Sequence, residues 1–546
     1  MNKKYKFILV VVIILSFGFL LKSSDIYFEI SKSIDIFGRI YKEVTLNYVD
    51  PVDPEEFMLA GIKGMLSSLD PYTVYIDSDQ QKELDLITTG KYGGIGATVG
   101  LKNGNVTIVD LIEGYSAQRQ GIRIGDVIVK VDSVEISKDN YNQLGSLLKK
   151  PAGSEVTVTI SREGVKDNIL FNLISEEIEI KNLTYYGFVP SNSTNAYLKL
   201  SGFSRSAGSE VKKALIDLEN KKKVSSIVLD LRGNPGGLLD AAIGIADKFL
   251  RKGNLIVSVI GRDTSRIQKY YSKEVPVAGD IKMAVLINGG SASASEILSG
   301  AIQDHDRGII VGTNSFGKGL VQSVVPLSFN TSLKITTAKY YTPSGRCIQK
   351  IDYSKSKIFK KNTFGEKKAF HTDHDRIVYS SGGIKPDSVV SAQSESEQIK
   401  FLLARGMFFK FASFYFNTHN NLNLNTINQD KLFNEFIDYV DKQNLNYTSN
   451  AEKVLAELNK IVIKEDYNSN VKQDLEILNK KFEKIKNQEL RKYKTDINTE
   501  ILQELAARIS GRKGRIEQAL KNDPQFKAAF EILQNKILYA RILINE

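Results

Sequence analysis

Residues 283 to 322 constrain the chain most. Met283-Ala-Val-Leu-Ile287 is an apolar run long enough for a buried strand. It breaks at Asn288-Gly289-Gly290 and gives way to Ser291-Ala-Ser-Ala-Ser-Glu296-Ile-Leu-Ser-Gly300-Ala-Ile302, small and apolar as a packed helix requires. A strand, a glycine turn and a helix in that order place a serine at a helix N-terminus, beside backbone N–H groups and the positive end of the dipole. An oxyanion needs those surroundings. A second apolar run, Gly308-Ile-Ile-Val311, leads into Gly312-Thr-Asn-Ser-Phe-Gly317-Lys318-Gly319-Leu-Val-Gln322. Its lysine is a natural base for that serine if the two loops meet.

Each piece also has a plainer interpretation. Ser293-Ala-Ser-Glu296 is a capping box, and a capping serine can still be a nucleophile. Gly312 to Lys318 imitates a phosphate-binding loop, but Gly319 stands where the magnesium-binding hydroxyl belongs, which argues against a nucleotide. A serine hydroxyl attacks only when a base takes its proton, and a lysine is a base only when its pKa is brought well below about 10.4. Phe316, Leu320 and Val321 offer apolar cover, and the loop contains no carboxylate to hold the ammonium charged. Of the four histidines, His305 lies twelve residues beyond Ser293 on the same predicted helix, about 18 Å along its axis. His371 and His374 sit in a polar, lysine-rich stretch that reads as a solvated loop rather than a metal site.

The pattern of these segments resembles the C-terminal processing peptidases, or tail-specific proteases. The resemblance is carried by Asn288 to Ile297, Ser315 to Gly319 with Gln322, Leu229-Asp-Leu-Arg-Gly-Asn-Pro-Gly-Gly237, Tyr340-Tyr-Thr-Pro-Ser-Gly-Arg346, Gly382-Gly-Ile-Lys-Pro-Asp387 and Leu69-Asp-Pro-Tyr72. They run in the family's order over roughly residues 40 to 390. The resemblance implies Ser293 as nucleophile, Lys318 as general base, Gln322 as the residue orienting the lysine, and backbone N–H groups of Ala294 and Gly236 as oxyanion donors. It implies no cofactor and no metal. Asn314 departs from the pattern, since relatives more often carry a charged or larger residue there.

A chain of 546 residues, 42 % of them apolar, holds three or four domains with real cores. The net charge of +11 is spread along the chain and implies no nucleic-acid partner. The single cysteine, Cys347, excludes an intramolecular disulfide framework. The fold expected is multidomain α/β. Residues 1–24 read as a signal peptide or membrane anchor: Lys3, Lys4 and Lys6 precede an apolar stretch from Phe7 to Leu21. Either outcome puts the rest of the chain in the cell envelope, on the periplasmic side. Residues 25–79 read as a helical region for packing or homodimerisation, with apolar Ile30, Ile34, Phe37, Ile40, Tyr41 and Val44 at helical spacing.

Residues 80–175 resemble a PDZ domain, whose carboxylate-binding loop falls on Gly94, Ile95 and Gly96 in Tyr92-Gly-Gly-Ile-Gly-Ala-Thr-Val99. Such a loop turns successive N–H groups toward a peptide's terminal carboxylate, and the next strand takes the peptide as an added strand. Residues 176–390 read as the α/β peptidase core, with Lys350 to Arg376 a surface excursion. Residues 391–546 read as a helical extension, in which Val471, Leu475, Leu478, Phe482 and Ile485 form a stripe suited to a helical core. The resulting expectation is a serine endopeptidase that grips C-terminal tails of protein substrates. The alternatives are a non-catalytic PDZ scaffold and, further off, a crotonase-like acyl-CoA enzyme.

Overall fold

The computed structural model describes residues 26–78, 80–81, 90–102, 104–353, 363–364, 367–392, 396–419, 422–443, 445, 447–465 and 469–544. The segment read as a signal or anchor lies outside them, as do parts of the lysine-rich excursion. The described residues fall into two compact units, one within Met1–Gln81, Gln322–Thr336 and Tyr353–Thr363, the other within Lys82–Val321, Thr337–Asp352 and Phe364–Glu546.

In the first unit, residues 26–47 are helical, and a second helix runs over Pro54–Ser67. Asp53 caps the second helix by accepting the Glu56 N–H, and Pro54 stands at its first position, where no N–H is needed. Tyr41 stacks on Phe57 and donates to the Pro54 carbonyl. The short strand Val74–Ile76 pairs antiparallel with Ser332–Lys334. The apolar stripe predicted for the first helix is not its buried face: Ile30, Ile34, Phe37 and Ile40 are all exposed.

The second unit is built on a six-stranded sheet in the order Leu183–Phe188, Asn195–Leu200, Ser226–Asp230, Lys282–Ile287, Ile309–Gly312, Ser388–Val389. The first pair is antiparallel and every other pair parallel. The central strands are buried on both faces, which is why they read as continuous apolar runs. Alternate residues face opposite sides. Ile227, Leu229, Met283, Val285 and Ile287 pack with the helices Ala207–Lys221, Leu239–Ala246 and Ala294–Asp304. Val228, Ala284, Leu286, Ile309 and Val311 pack with Phe526, Ala529, Ile532 and Leu533 of the helix Pro524–Gln534.

That second face gives the end of the helical extension a place the sequence left unread: its last helices form one of the core's three layers. Tyr539, in the helix Lys536–Ile544, reaches the main chain of Met283 with its hydroxyl. The predicted stripe at 471–485 is a second correction. In the helix Ser469–Lys492, Leu478 is exposed and Val471, Leu475 and Phe482 are only half-buried, while the Ile485 side chain lies outside the description. The buried core of the extension is instead Phe408, Phe411, Leu432, Phe436, Ile497 and Leu505 among their neighbours. The excursion 350–376 also ends differently from expectation, because Arg376 is buried between Asp306 and Asp387.

Residues 97–174 form an antiparallel sheet in the order Ala97–Lys102, Asn105–Leu111, Val127–Val131, Glu155–Ser161, Ile169–Ile174. Ile108, Val131, Val156, Val158 and Leu173 make its core. The helical extension touches this domain: Arg512 pairs with Asp110, and the Asn417 side chain donates to the Glu163 carbonyl at 3.0 Å. Truncating Phe526, whose ring meets Tyr197 edge-on at 5.5 Å, is expected to cost about 3 kcal/mol. Denaturant unfolding of Phe526→Ala checks this, and an unchanged midpoint would mean the third layer is dispensable.

Candidate active site

Three loops leave the carboxyl ends of adjacent parallel strands, the edge at which open α/β sheets place their ligands. They are residues 231–238, 288–293 and 313–319, after the strands Ser226–Asp230, Lys282–Ile287 and Ile309–Gly312. The middle loop ends on Ser293, whose backbone is held at φ 55°, ψ −114°. A non-glycine residue in that region is strained, and such strain persists only where the surroundings enforce it.

The neighbouring serines are accounted for. The Ser291 hydroxyl donates to the Leu231 carbonyl and that of Ser295 to the Asn234 carbonyl, both at 2.9 Å, and both residues are fully buried. Ser299 donates to the Ser295 carbonyl and Ser315 to a Glu296 carboxylate oxygen. Across residues 291–304 only Ser293 is not buried. The small serines thus fasten the Ser293 turn to the loop of 231–238, and one serine, Ser293, is left only half-buried.

Glu296 fastens the same turn to the lysine loop. Its carboxylate is fully buried and accepts four donors: the Ser293 N–H at 2.9 Å, the Lys318 N–H at 2.9 Å, the Gly317 N–H at 2.7 Å and the Ser315 hydroxyl at 2.5 Å. The capping box read from the sequence is present, but its acid reaches well beyond its own helix. The Tyr340 hydroxyl adds a second tie, bonding the Lys318 carbonyl and lying 3.2 Å from the Ser293 carbonyl. Lys318 is half-buried, and so is Val321; Leu320 is buried. Phe316 is a correction, for it points to solvent and covers nothing. Gln322 sits in the strand Leu320–Pro326, where its amide donates to Thr336 Oγ1 at 3.3 Å.

Gly236 has φ +97°, and a Cβ there would stand 2.7 Å from the Ala292 carbonyl oxygen and 2.8 Å from the Ala294 nitrogen. The Asn-Pro-Gly-Gly turn therefore lies directly on the Ser293 turn, as only glycine permits. Its own N–H is directed at Asn234 Oδ1, 2.9 Å away, which the sequence did not foretell for an oxyanion donor. Ala294 opens its helix, so its N–H has no partner carbonyl within that helix.

The histidines lie elsewhere. His305 is held between Asp373 and the Leu255 carbonyl, His374 bonds the Leu543 carbonyl, and His419 stacks on Tyr415. Among the described residues no three acidic, histidine or cysteine side chains group as metal ligands would. Burial pushes the Cys347 thiol up, away from the thiolate a nucleophile requires.

Comparison with known proteins agrees in kind. Residues 194–354 match the model of peptidase family S41, 93–173 that of a PDZ domain, 399–533 that of the C-terminal helical domain of a probable PDZ-protease, and 22–80 that of an activating protease CtpB N-terminal domain. A carboxy-terminal-processing protease of Bartonella bacilliformis is 40% identical over 323 residues, 59% of this chain and 73% of the relative. The chain belongs to the carboxy-terminal processing protease family. Carboxy-terminal processing protease CtpB of Bacillus subtilis is 32% identical over 59% of the chain and 67% of its own length. CtpA of the same organism is 33% identical over 58% and 66%. The chain is accordingly a serine-type peptidase with a PDZ domain, and its fold is an S41 core with N- and C-terminal helical domains.

In this carboxy-terminal processing protease Gly94, Ile95 and Gly96 are all buried. Gly94 ends the strand Lys91–Gly94, opposite Glu176, and Gly96 has φ +79° with Tyr115 against its α-carbon. The Ile95 and Gly96 carbonyls accept the Ala117 and Ile112 N–H groups at 2.9 Å, which fixes the peptide planes of the loop. The strand Ala97–Lys102 lies at the edge of its sheet. Such an edge can accept another strand.

Sequence reasoning missed the reach of Glu296, although its place in the Ser-x-x-Glu box was the signal, and gave Tyr340, which opens one of the quoted motifs, no role of its own. The remaining motifs prove to be supports. Ile384 donates to Ser315 Oγ at 2.6 Å, and a Cβ on Gly383 would meet the same oxygen. Arg346 is fully buried and paired with Asp304 at the end of the helix Ala294–Asp304.

Gly236→Ala should lower kcat/KM by more than about a hundredfold, because the added methyl collides with backbone and no flexible side chain can yield. Activity within a few-fold of wild type would show that the turn has room to spare. Burial drives the Glu296 carboxyl from 4.5 up to about 7 against the pull of its four donors. The folded carboxyl holds its proton more tightly than the unfolded one, so its contribution to stability falls as pH rises from 4.5 to about 7. Relative to Glu296→Gln, which does not titrate, the wild type is expected to lose Tm across that window. A pH-independent difference in Tm would contradict it.

Proposed function

We propose that the protein hydrolyses peptide bonds in protein substrates bearing exposed C-terminal tails, with Ser293 and Lys318 as a catalytic dyad. The observation that carries this reading is the strained, half-buried Ser293, tied through one buried carboxylate to the loop that presents Lys318.

In the proposed sequence, neutral Lys318 Nζ takes the Ser293 hydroxyl proton as Oγ attacks the scissile carbonyl carbon. The oxyanion that forms is met by the Ala294 N–H at the helix N-terminus, and by that of Gly236 once it leaves Asn234 Oδ1. The tetrahedral intermediate collapses as the ammonium of Lys318 gives its proton to the leaving amine. Water then repeats the cycle on the acyl-serine, with Lys318 again accepting and returning a proton. Gln322 orients the Lys318 amine in this scheme, and no metal is required. The PDZ loop at Gly94–Gly96 takes the tail's terminal carboxylate while the strand Ala97–Lys102 takes the tail as an added strand.

The basic and apolar start of the sequence supports export to the periplasmic side of the envelope, with membrane attachment through residues 1–24 if they are retained. Among the described residues no helix is long and apolar enough to cross a membrane. The exposed apolar face of residues 26–47 supports a homodimer.

The test is cleavage of a flexible protein with a hydrophobic C-terminal tail, in EDTA, by wild type, Ser293→Ala and Lys318→Ala. Both variants should lose more than about a thousandfold in kcat/KM while still binding the tail. Cleavage by Ser293→Ala would reject the nucleophile. Tail binding without cleavage by the wild type would favour a scaffold.

A further inference from the structure

The loop that carries Gly236 begins with Arg232, and the charges around that arginine come from two distant parts of the chain. Asp230, almost wholly buried at the end of its strand, accepts Arg232 Nε at 3.0 Å and Nη2 at 2.7 Å. It also accepts the Tyr197 hydroxyl at 2.6 Å and lies 3.1 Å from Lys199 Nζ. Lys199 donates in turn to the Arg232 carbonyl at 2.9 Å. Two cations thus share one carboxylate in a buried place, a costly imbalance if nothing else were present.

The second carboxylate is Asp523. Its Oδ2 lies 2.6 Å from Arg232 Nη2, while its Oδ1 caps the helix Pro524–Gln534 by accepting the Gln525 and Phe526 N–H groups. Gln525 adds its Oε1 at 2.9 Å from Arg232 Nη1 and anchors its own amide on the Val390 carbonyl. Beyond Arg232 the loop passes directly to the site. The Gly233 N–H donates to Asn288 Oδ1, and the Asn234 carbonyl accepts the Ala292 N–H and the Ser295 hydroxyl. Gly236 then rests on Ser293 and Ala294.

We propose that Asp523 and Gln525 are positioning residues for the peptidase site. By holding the Arg232 guanidinium from behind, the C-terminal helix fixes the height of the Gly233–Gly236 turn over Ser293, and so the oxyanion geometry. This rests on the Ser293 reading given above. It makes the C-terminal domain part of the catalytic apparatus rather than a separable extension. The arrangement balances charge, two carboxylates to two cations, and the balancing acid comes from a different domain.

Asp523→Asn tests it in the full-length chain, because asparagine keeps the helix cap and removes only the charge. With a tail-bearing substrate, kcat should fall about tenfold, the loss of one charge-assisted contact, with KM and tail affinity changed less than about twofold. In an Arg232→Gln background, which already lacks the guanidinium that Asp523 holds, Asp523→Asn should lower kcat by less than about twofold. Unchanged kcat in Asp523→Asn would overturn the proposal. So would a loss of kcat that tracks a fall in Tm and is as large in the Arg232→Gln background as in the wild type. Ser293→Ala, assayed alongside, separates the two readings: if it still cleaves, the dyad is wrong whatever Asp523 does.

Discussion

One buried carboxylate ties the loop of Ser293 to the loop of Lys318. Glu296 collects donors from its own helix turn and from the glycine loop that follows the next strand. Burying that carboxylate is costly, as its raised pKa records, and four donors are what make it tolerable. The same bonds that stabilise the acid leave Ser293 and Lys318 little freedom to drift apart. Preorganisation of this kind is most effective when its cost is met during folding rather than at the moment of reaction.

Around that clamp the site is built by backbone contacts that tolerate almost no side chain. Gly236 presses on the Ala292–Ala294 backbone, Gly290 on Gly233, Gly317 on Lys350 and Gly383 on Ser315. Ser291 and Ser295 use their hydroxyls as short struts into the 231–234 carbonyls. The glycine- and serine-rich character of the chain at these points is therefore a packing requirement of three loops meeting, and the one serine without such a strut role is Ser293.

The sheet beneath is closed by the end of the chain. Helix Pro524–Gln534 covers the face that the three earlier helices leave open, and its capping residue reaches into the charge network behind Arg232. Stability of the core and geometry of the site thus share an element. The PDZ domain is tied to the same helical domain through Arg512 with Asp110 and Asn417 with Glu163.

The sequence by itself determined the local pieces: the apolar runs that became central strands, the glycine turns after them, and the serine at a helix start. Each follows from spacing over a few residues, because strand, turn and cap are short-range structures. It also marked Glu296 as a capping acid, yet gave no sign that the acid would reach the lysine loop. It placed the helices after residue 391 correctly in kind, and mistook the stripe at 471–485 for the core that Phe408, Phe411 and Phe436 in fact provide. Tertiary structure alone decided which serines are struts, that Phe316 faces water, that Gly236 turns its N–H to Asn234, and that Asp523 sits on Arg232. Apart from the Gly236–Asn234 bond, which spans two residues within one turn, those contacts join residues far apart in the chain, where no periodicity links the partners and only the packing of the sheet brings them within reach.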